Sequence, residues 1–238
     1  NPIVAPSLDM VLGCFYMTDI DPNGRGRYQP QSDRQPEQGV FGSFEEAKLA
    51  FDLGVVDLRA PIRVRTSRPI TANGRTMQPE LDSAGNPRAR LFETTVGRII
   101  FNEVVPEELP FQNDGMDRPH LREVVALCWR ELGGERTAEI VDRIKNTGFH
   151  YATRSGITIA VHEIQVPRNK PELLKEADKR VDELLDQFQM GLITEDERYQ
   201  GTVDIWSETT KQIENAIKVR MPEYGSLNYM ASSGTKGN

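Results

Sequence analysis

The chain has 238 residues, of which 37% are hydrophobic and 27% are charged, and its formal net charge is −7. This length suits one large domain or two modest ones, and the negative charge argues against a general attraction for nucleic acid, although it leaves room for a local basic patch. No apolar run approaches the roughly 20 residues that a membrane span needs, and the sequence has no signal-peptide pattern. Cys14 and Cys128 both lie in apolar runs, which favours buried free thiols over a disulfide and suits a cytoplasmic location.

The first fifty residues combine an apolar segment, a loop and a capped helix. Residues 7–18 are apolar enough for either a helix or a strand, whereas residues 19–40 are rich in Asp, Pro, Gly and Gln, which is typical of a loop. Ser43 and Glu46 form a capping box, which predicts the start of a helix that Gly54 ends.

Alternating apolar and polar residues from 56 to 65 predict a strand, and Pro61 places that strand at a sheet edge or near a bulge. Residues 66–90 are loop-like, with turn signals that also fit a hairpin insertion. Thr95 then suits the N-cap of a short helix that ends before Pro106.

Two helices and a strand are predicted next. The pattern favours a helix over 120–132 and a second one over 137–146, which Gly148 closes. Residues 149–166 are rich in β-formers around a turn or bulge at Gly156, so we interpret them as strand-like.

Residues 169–221 have the pattern of two long helices folded back on each other. Gly191 suits the left-handed residue that ends the first helix, and Thr194 with Glu197 forms a capping box for the second. Such a short connection makes the helices antiparallel neighbours. Periodicity alone fits both an ordinary hairpin inside a domain and a projecting hairpin whose tip meets another protein. The apolar rows with coiled-coil spacing are Leu173, Ala177, Val181, Leu184 and Phe188 on the first helix, and Val203, Trp206, Thr210, Ile213 and Ile217 on the second.

Residue patterns alone show no self-contained active site. His150, His162 and Glu163 lack the spacing and the additional ligands of a metal site. Asp19 and Asp21 resemble the start of a calcium loop, but a glutamate is missing at the twelfth loop position, so a plain turn is the better interpretation. From these patterns the chain is a scaffold and interaction module.

Several stretches, taken in order, resemble one protein family. They are residues 1–13, 94–98, 148–149 with 151–156, 166–167 with Lys170, 187–188 with 191–194, 197–199 and 205–206, and 229–238. This collinear series resembles the beta-prime subunit of bacterial DNA-directed RNA polymerase, and it covers nearly the whole chain. The match is weakest in the loops at 19–40 and 66–90.

The resemblance implies a part of the polymerase that lines the secondary channel, through which nucleoside triphosphates enter and backtracked RNA leaves. The long hairpin would be the pair of rim helices on which transcript-cleavage factors of the Gre type dock. Its tip residues Glu197, Arg198 and Tyr199 are the candidates for that contact. The other implied partners are the beta, alpha, omega and sigma subunits, the RNA 3′ end and, through the whole complex, DNA; a membrane is not among them.

The resemblance places the nucleotidyltransferase chemistry outside the chain. The magnesium-binding aspartates of the family precede Asn1, and its bridge helix and trigger loop follow Asn238, so we expect no catalytic residue and no cofactor in this fragment, and magnesium in the whole enzyme. Arg98, Arg154 and Lys236 are candidate channel-facing cations, with a buried, bracing arginine as the alternative for the first two. Lys236 stands where the family commonly has Arg, and Ser232 where it has Asp.

The expected fold is α+β, with a helix-rich irregular body, short strands and a long projecting antiparallel helical hairpin. The expected parts are a pore and secondary-channel body over 1–168, with loop insertions near 19–40 and 66–90, a rim-helix hairpin over 169–221, and a return segment over 222–238 toward the active-site region. The rival hypotheses are a free-standing helical-hairpin interaction module and a small enzyme with a pocket that sequence patterns miss.

Overall fold

The computed structural model describes residues 5–31, 37–161, 166–220 and 225–235. Most of these residues are helical, and the strands are short, which confirms the predicted α+β, helix-rich fold. The helices are α1 (Asp9–Thr18), α2 (Phe44–Asp52), α3 (Val96–Val104), α4 (Arg118–Leu132), α5 (Gly134–Ser155), α6 (Lys170–Gln189), α7 (Glu195–Arg220) and α8 (Ser226–Ser232). The strands are β1 (Val40–Phe41), β2 (Ile62–Thr66), β3 (Ile70–Ala72), β4 (Arg75–Met77), β5 (Arg90–Thr94) and β6 (Phe111–Gln112).

The chain divides into two compact units. The body unit comprises Asn1–Ile157 together with Tyr229–Asn238, and the hairpin unit comprises Thr158–Asn228. The hairpin unit is therefore an insertion, because the chain leaves the body unit once and returns to it. Within the described ranges, no helix combines the length and the apolar character that crossing a membrane requires.

Helices α1 and α5 pack against each other at two glycines of the body unit. A Cβ atom added at Gly13 would lie 1.8 Å from the carbonyl oxygen of Gly148, and one added at Gly148 would lie 2.5 Å from the carbonyl oxygen of Met10. Only residues without a side chain allow two helix backbones to come this close. Around this crossing α1, α3, α4 and α5 bury one apolar cluster, in which Phe101, Leu121 and Ile144 are fully enclosed.

The helix predicted over 137–146 is confirmed as part of α5, but its predicted end at Gly148 and the strand-like stretch after it were wrong, and this crossing explains why. Residues 162–165 of that stretch lie outside the described residues. Helix α5 does not end at Gly148 but continues to Ser155, so residues 149–155 are helical rather than strand-like. A glycine inside a helix normally weakens it, and local sequence therefore suggested a stop. Here Gly148 permits the contact with α1, and the helix ends instead at Gly156, which has φ of 62°.

The strands form two small mixed sheets beside this cluster. In the first sheet β2 lies between β1, which is parallel to it, and β5, which is antiparallel. In the second sheet β3 lies between β4 and β6. The β3–β4 hairpin agrees with the hairpin that the turn signals within residues 66–90 allowed. A second apolar cluster joins the sheets to α2 and α3.

The strand predicted over residues 56–65 is only half correct. Its second half is β2, but residues 57–60 form a turn, in which the Ala60 N–H donates to the Asp57 carbonyl at 3.1 Å. The Leu58 carbonyl accepts from the Gly97 N–H at 2.8 Å, so these backbone groups bind elsewhere than in a sheet. Pro61 precedes β2, which is a central strand rather than an edge strand.

Several local predictions are confirmed. Residues 7–18 resolve into helix α1, and the two N-caps bond as expected. The Ser43 hydroxyl accepts from the Glu46 N–H at 3.2 Å, and the Thr95 hydroxyl accepts from the Arg98 N–H at 3.2 Å. Cys14 and Cys128 are both buried free thiols.

Candidate functional site

The hairpin unit is built on an antiparallel pair, α6 and α7, joined by a five-residue turn. On α6 the predicted apolar row does face the partner helix: Ala177 is buried, and Leu173 and Leu184 are half-buried. On α7 the buried residues are Ile205 and Thr209. The Thr209 hydroxyl donates to the Ile205 carbonyl at 2.8 Å, which satisfies this buried polar group within the helix.

The predicted contact row on α7 was therefore wrong by one position at Val203, Trp206 and Thr210, whereas Ile213 is half-buried as the prediction requires. Trp206 is 37% exposed and Val203 is 40% exposed, whereas the neighbouring row through Ile205 faces α6. Gly201 explains the difference, because a Cβ atom there would lie 2.9 Å from Leu184 Cδ1. Because Gly201 has no side chain, the Leu184 side chain packs against the row of α7 that contains Gly201 and Ile205.

The turn between the two helices is fixed by its own sequence. Gly191 has φ of 72°, which is the left-handed conformation expected at a helix end. The Thr194 N–H donates to Glu197 Oε2 at 2.8 Å, and the Glu197 N–H donates to the Thr194 hydroxyl oxygen at 3.3 Å. This reciprocal pair is the predicted capping box, and it is confirmed.

The three predicted tip residues have different surroundings. Glu197 is held by the capping box. The Arg198 Nε donates to Glu195 Oε2 at 3.0 Å, and the Arg198 guanidinium lies 5.6 Å from the centroid of the Phe188 ring. Tyr199 is 64% exposed, and its hydroxyl makes no hydrogen bond within the described part of the chain. Two of the three side chains thus stabilise the tip itself, and the Tyr199 side chain is exposed.

Two further exposed residues at this end were missed from sequence. Met190 is 72% exposed and Leu192 is 70% exposed, and both lie in the turn that joins α6 to α7. Large apolar residues are uncommon in an exposed turn, and that departure was the available signal. We call Met190, Leu192 and Tyr199 the tip patch.

The first turn of α7, next to the tip patch in the sequence, carries acidic residues, and two of them have lowered pKa values. A hydrogen bond from Arg198 lowers the pKa of Glu195, and bonds from the Thr194 N–H and hydroxyl lower the pKa of Glu197. Asp196 adds a third acid to the first turn of α7. Such a surface suits a partner with apolar side chains and nearby basic ones.

The candidate channel arginine Arg98 lies inside the body unit. It is 9% exposed, its Nε donates to the Thr18 carbonyl at 2.8 Å, and its Nη1 donates to the Asn113 carbonyl at 2.6 Å. Burial lowers its pKa from the ordinary value. These contacts support the bracing role that the sequence left open as the alternative.

Arg154 has the opposite surroundings. It lies exposed in the last turn of α5, and its guanidinium is 6.0 Å from the centroid of the Tyr151 ring. It forms no ion pair within the described part of the chain. The third candidate cation, Lys236, lies outside the described residues, as do His162 and Glu163 of the rejected metal site.

The body unit also contains a cleft of about 670 Å³ between α2, α3 and the start of α5. Two ion pairs lie along it: Lys48 pairs with Glu103, and Arg136 pairs with Glu108 at 3.0 Å. None of the described residues that line it is Ser, Cys or His. Its lining instead includes Lys48 and several glutamates, Glu45, Glu103, Glu107 and Glu108.

The described residues also contain no group of three or more His, Cys, Asp or Glu side chains arranged to hold a metal ion. The described residues therefore offer no such group for the magnesium that the resemblance implies for a whole polymerase.

Comparison with known proteins identifies the family. The family model described as RNA polymerase Rpb1, domain 3 matches residues 1–164. The chain therefore belongs to the RNA polymerase Rpb1, domain 3 family. The chain is also similar over its full length to proteins named DNA-directed RNA polymerase subunit beta'. This similarity confirms the family inferred from the collinear motifs.

Three of these relatives illustrate the match. The one from Dehalococcoides mccartyi is 42% identical over 238 residues, which is all of this chain and 16% of the relative. Those from Roseiflexus castenholzii and Desulforamulus reducens are each 39% identical, again over all of this chain, and it covers 17% and 18% of them. The chain thus spans less than one fifth of the length of these relatives.

Proposed function

We propose that this chain is the section of a bacterial RNA polymerase beta-prime subunit that lines the secondary channel, and that its hairpin docks transcription factors. Family membership supports the assignment to the polymerase. The tip patch supports docking, because it presents large exposed side chains next to a turn that is fixed by its own hydrogen bonds.

The observation that carries the docking proposal is the contrast within the tip. Glu197 and Arg198 hold the turn in one conformation, so little conformational entropy is lost when a partner binds. Tyr199, Met190 and Leu192 then supply contact area without first breaking bonds to the chain. Aromatic residues and methionine are enriched at interface cores, and rigid presentation favours affinity.

The remaining parts of the proposal come from the polymerase as a whole. Nucleotidyl transfer, nucleoside triphosphates, the RNA 3′ end, DNA, the other subunits and a cytoplasmic location belong to that complex. In this proposal the chain contributes substrate access and factor docking, and catalysis is carried by other parts of the enzyme.

Arg154 is the channel-facing cation of the proposal. Its charge is exposed and unpaired within the described part of the chain, so it adds to the attraction of triphosphates or RNA. We expect Arg154→Ala in the assembled polymerase to raise the KM for nucleotides, and Arg154→Lys to restore most of it. An unchanged KM in Arg154→Ala would remove this residue from the proposal.

A direct-binding assay tests the docking proposal. Polymerase that carries Tyr199→Ala, or Met190→Ala together with Leu192→Ala, is titrated with a purified Gre-type cleavage factor. We expect the Kd to rise by about tenfold or more, as for the loss of a central interface residue. The matched control is Val219→Ala, which removes an exposed apolar side chain from the other end of α7. Wild-type Kd values in both tip variants would contradict docking at the tip patch.

A further inference from the structure

Tyr229 is the residue with which the chain re-enters the body unit, since the hairpin unit ends at Asn228. Its side chain is buried, and its hydroxyl donates to Asp19 Oδ2 and accepts from Arg59 Nη2 at 2.6 Å. The same Arg59 nitrogen lies 3.3 Å from Asp19 Oδ2. The three side chains thus form a closed triangle in which each one contacts the other two.

Aromatic contacts complete this cluster. The Arg59 guanidinium carbon lies 5.0 Å from the centroid of the Tyr16 ring and 5.4 Å from that of Tyr229. Phe15 meets the Tyr229 ring edge-on, with 5.4 Å between centroids. Cation–π and edge-on contacts fix the orientation of a ring as well as its position. Burial and the hydrogen bond to Asp19 raise the pKa of Tyr229, so its hydroxyl remains a proton donor.

The residues that follow Tyr229 are attached at a second point. The Ser233 N–H donates to the Tyr229 carbonyl at 3.0 Å, and the Ser233 carbonyl accepts from the Arg118 N–H at the start of α4 at 3.0 Å. The hydroxyls of Ser233 and Thr235 lie 2.7 Å apart, and both residues are buried. The turn at 233–235 therefore sits against α4 at a position that Tyr229 sets.

We propose that Asp19, Arg59 and Tyr229 form an anchor that fixes the chain where it re-enters the body unit and holds the turn at 233–235 against α4. Tyr229 is 210 residues from Asp19 and 170 from Arg59 along the chain. Bringing such distant residues together costs loop-closure entropy, which the cluster of charge-assisted bonds offsets. The anchor is a conformational device of the fold and does not depend on the docking proposal.

Hydrogen exchange in the full-length subunit, assembled with its natural partners, tests the anchor. Tyr229→Phe removes only the hydroxyl and keeps the ring between Phe15 and Arg59. We expect the amides of Ser233, Thr235 and Arg118 to exchange about tenfold faster or more, because hydrogen bonds with two charged groups are lost. Exchange in α6 and α7 should stay unchanged.

Tyr16→Phe is the matched control. The Tyr16 ring also faces Arg59, but its hydroxyl makes no hydrogen bond within the described part of the chain. Equal exchange at Ser233, Thr235 and Arg118 in the two variants would overturn the proposal, and so would an equal acceleration throughout α6 and α7.

A second variant covers the case in which Tyr229→Phe does not assemble. Asp19→Asn keeps an oxygen acceptor and loses the charge, so we expect a smaller acceleration at the same amides. An Asp19→Asn subunit without any acceleration at Ser233, Thr235 and Arg118 would also overturn the anchor.

Discussion

The two units of this chain pack their long helices in different ways. In the body unit, α1 and α5 meet backbone to backbone at Gly13 and Gly148. In the hairpin unit, α6 and α7 meet through side chains, and the glycine at their seam, Gly201, faces the flexible end of Leu184. A glycine inside a helix therefore allows close backbone contact in the body unit, whereas in the hairpin unit it makes room for a side chain.

The same difference extends to the charged residues. In the body unit Arg98 is enclosed and binds two backbone carbonyls, so its charge serves the fold. At the hairpin tip Arg198 and Glu197 fix a turn, and the side chains next to them stay exposed. In the body unit Arg98 thus stabilises the interior. In the hairpin unit Arg198 and Glu197 instead stabilise a turn whose neighbouring side chains are exposed.

The largest expected effect is that of Gly13→Ala. The new Cβ atom would lie 1.8 Å from a backbone oxygen that cannot move without shifting α5. We expect the free energy of unfolding of the body unit to fall by about 3 kcal/mol or more. Denaturant unfolding of a Trp206→Phe background, followed by the fluorescence of the remaining Trp129, measures this unit.

Gly201→Ala is the matched control for that prediction. Its Cβ atom meets only the end of the Leu184 side chain, and alanine gains about 1 kcal/mol of helix propensity over glycine. The hairpin unit, followed by Trp206 in a Trp129→Phe background, should therefore change by less than about 1 kcal/mol. Equal losses of unfolding free energy in Gly13→Ala and Gly201→Ala would contradict the difference between the α1–α5 and α6–α7 contacts.

Arg98→Ala ranks second. It removes three hydrogen bonds from a charged donor and leaves the carbonyls of Thr18 and Asn113 without that partner. We expect a loss of roughly 2 to 3 kcal/mol in the stability of the body unit. The exposed Arg154 provides the comparison, and Arg154→Ala should change stability by less than about 0.5 kcal/mol. An unaltered unfolding free energy in Arg98→Ala would show that its bonds are not structural.

Thr194→Ala should have a smaller effect, limited to the hairpin unit. It removes the hydroxyl that accepts from the Glu197 N–H, and loss of an N-cap costs about 1 kcal/mol. Thr194→Ser keeps the hydroxyl and should retain most of the stability. Unfolding monitored at Trp206 distinguishes the two, and identical curves for Ala and Ser would exclude a capping role.

The smallest effect is a pH dependence of the first turn of α7. Hydrogen bonds from Thr194 lower the pKa of Glu197 in the folded chain, so the unfolded chain binds the proton more tightly. The resulting stabilisation is complete above the ordinary glutamate pKa of about 4.3 and is lost as pH falls through the lower folded pKa. Amide exchange at Glu197 should accelerate at acid pH relative to a Glu197→Gln variant. Parallel pH profiles for the two proteins would contradict this.

Local signals were sufficient where a structure depends on neighbouring residues. Capping boxes at Ser43 and Thr194, and the left-handed Gly191, could be predicted because each bond joins residues within a few positions. The course of α5 through Gly148 could not, since its cause lies in α1, more than 130 residues away.

In the candidate site, too, features set by neighbouring residues could be predicted, and features set by packing could not. The hairpin was predicted, but Met190 and Leu192 were missed because local sequence predicts that they lie in a turn and does not predict how far their side chains are exposed. The row of α7 that faces α6 depends on how Gly201 receives Leu184, and periodicity alone did not separate two adjacent rows.

Photo-crosslinking from the tip patch tests the central claim, that the hairpin unit presents the docking surface, most directly. A photo-reactive residue replaces Leu192 in the assembled polymerase, and the comparison protein carries it at Leu53, which is similarly exposed on the body unit. With a purified Gre-type factor, we expect a covalent adduct from position 192 and none from position 53. An adduct from position 53 alone, or from neither position under conditions in which the factor binds, would contradict the account.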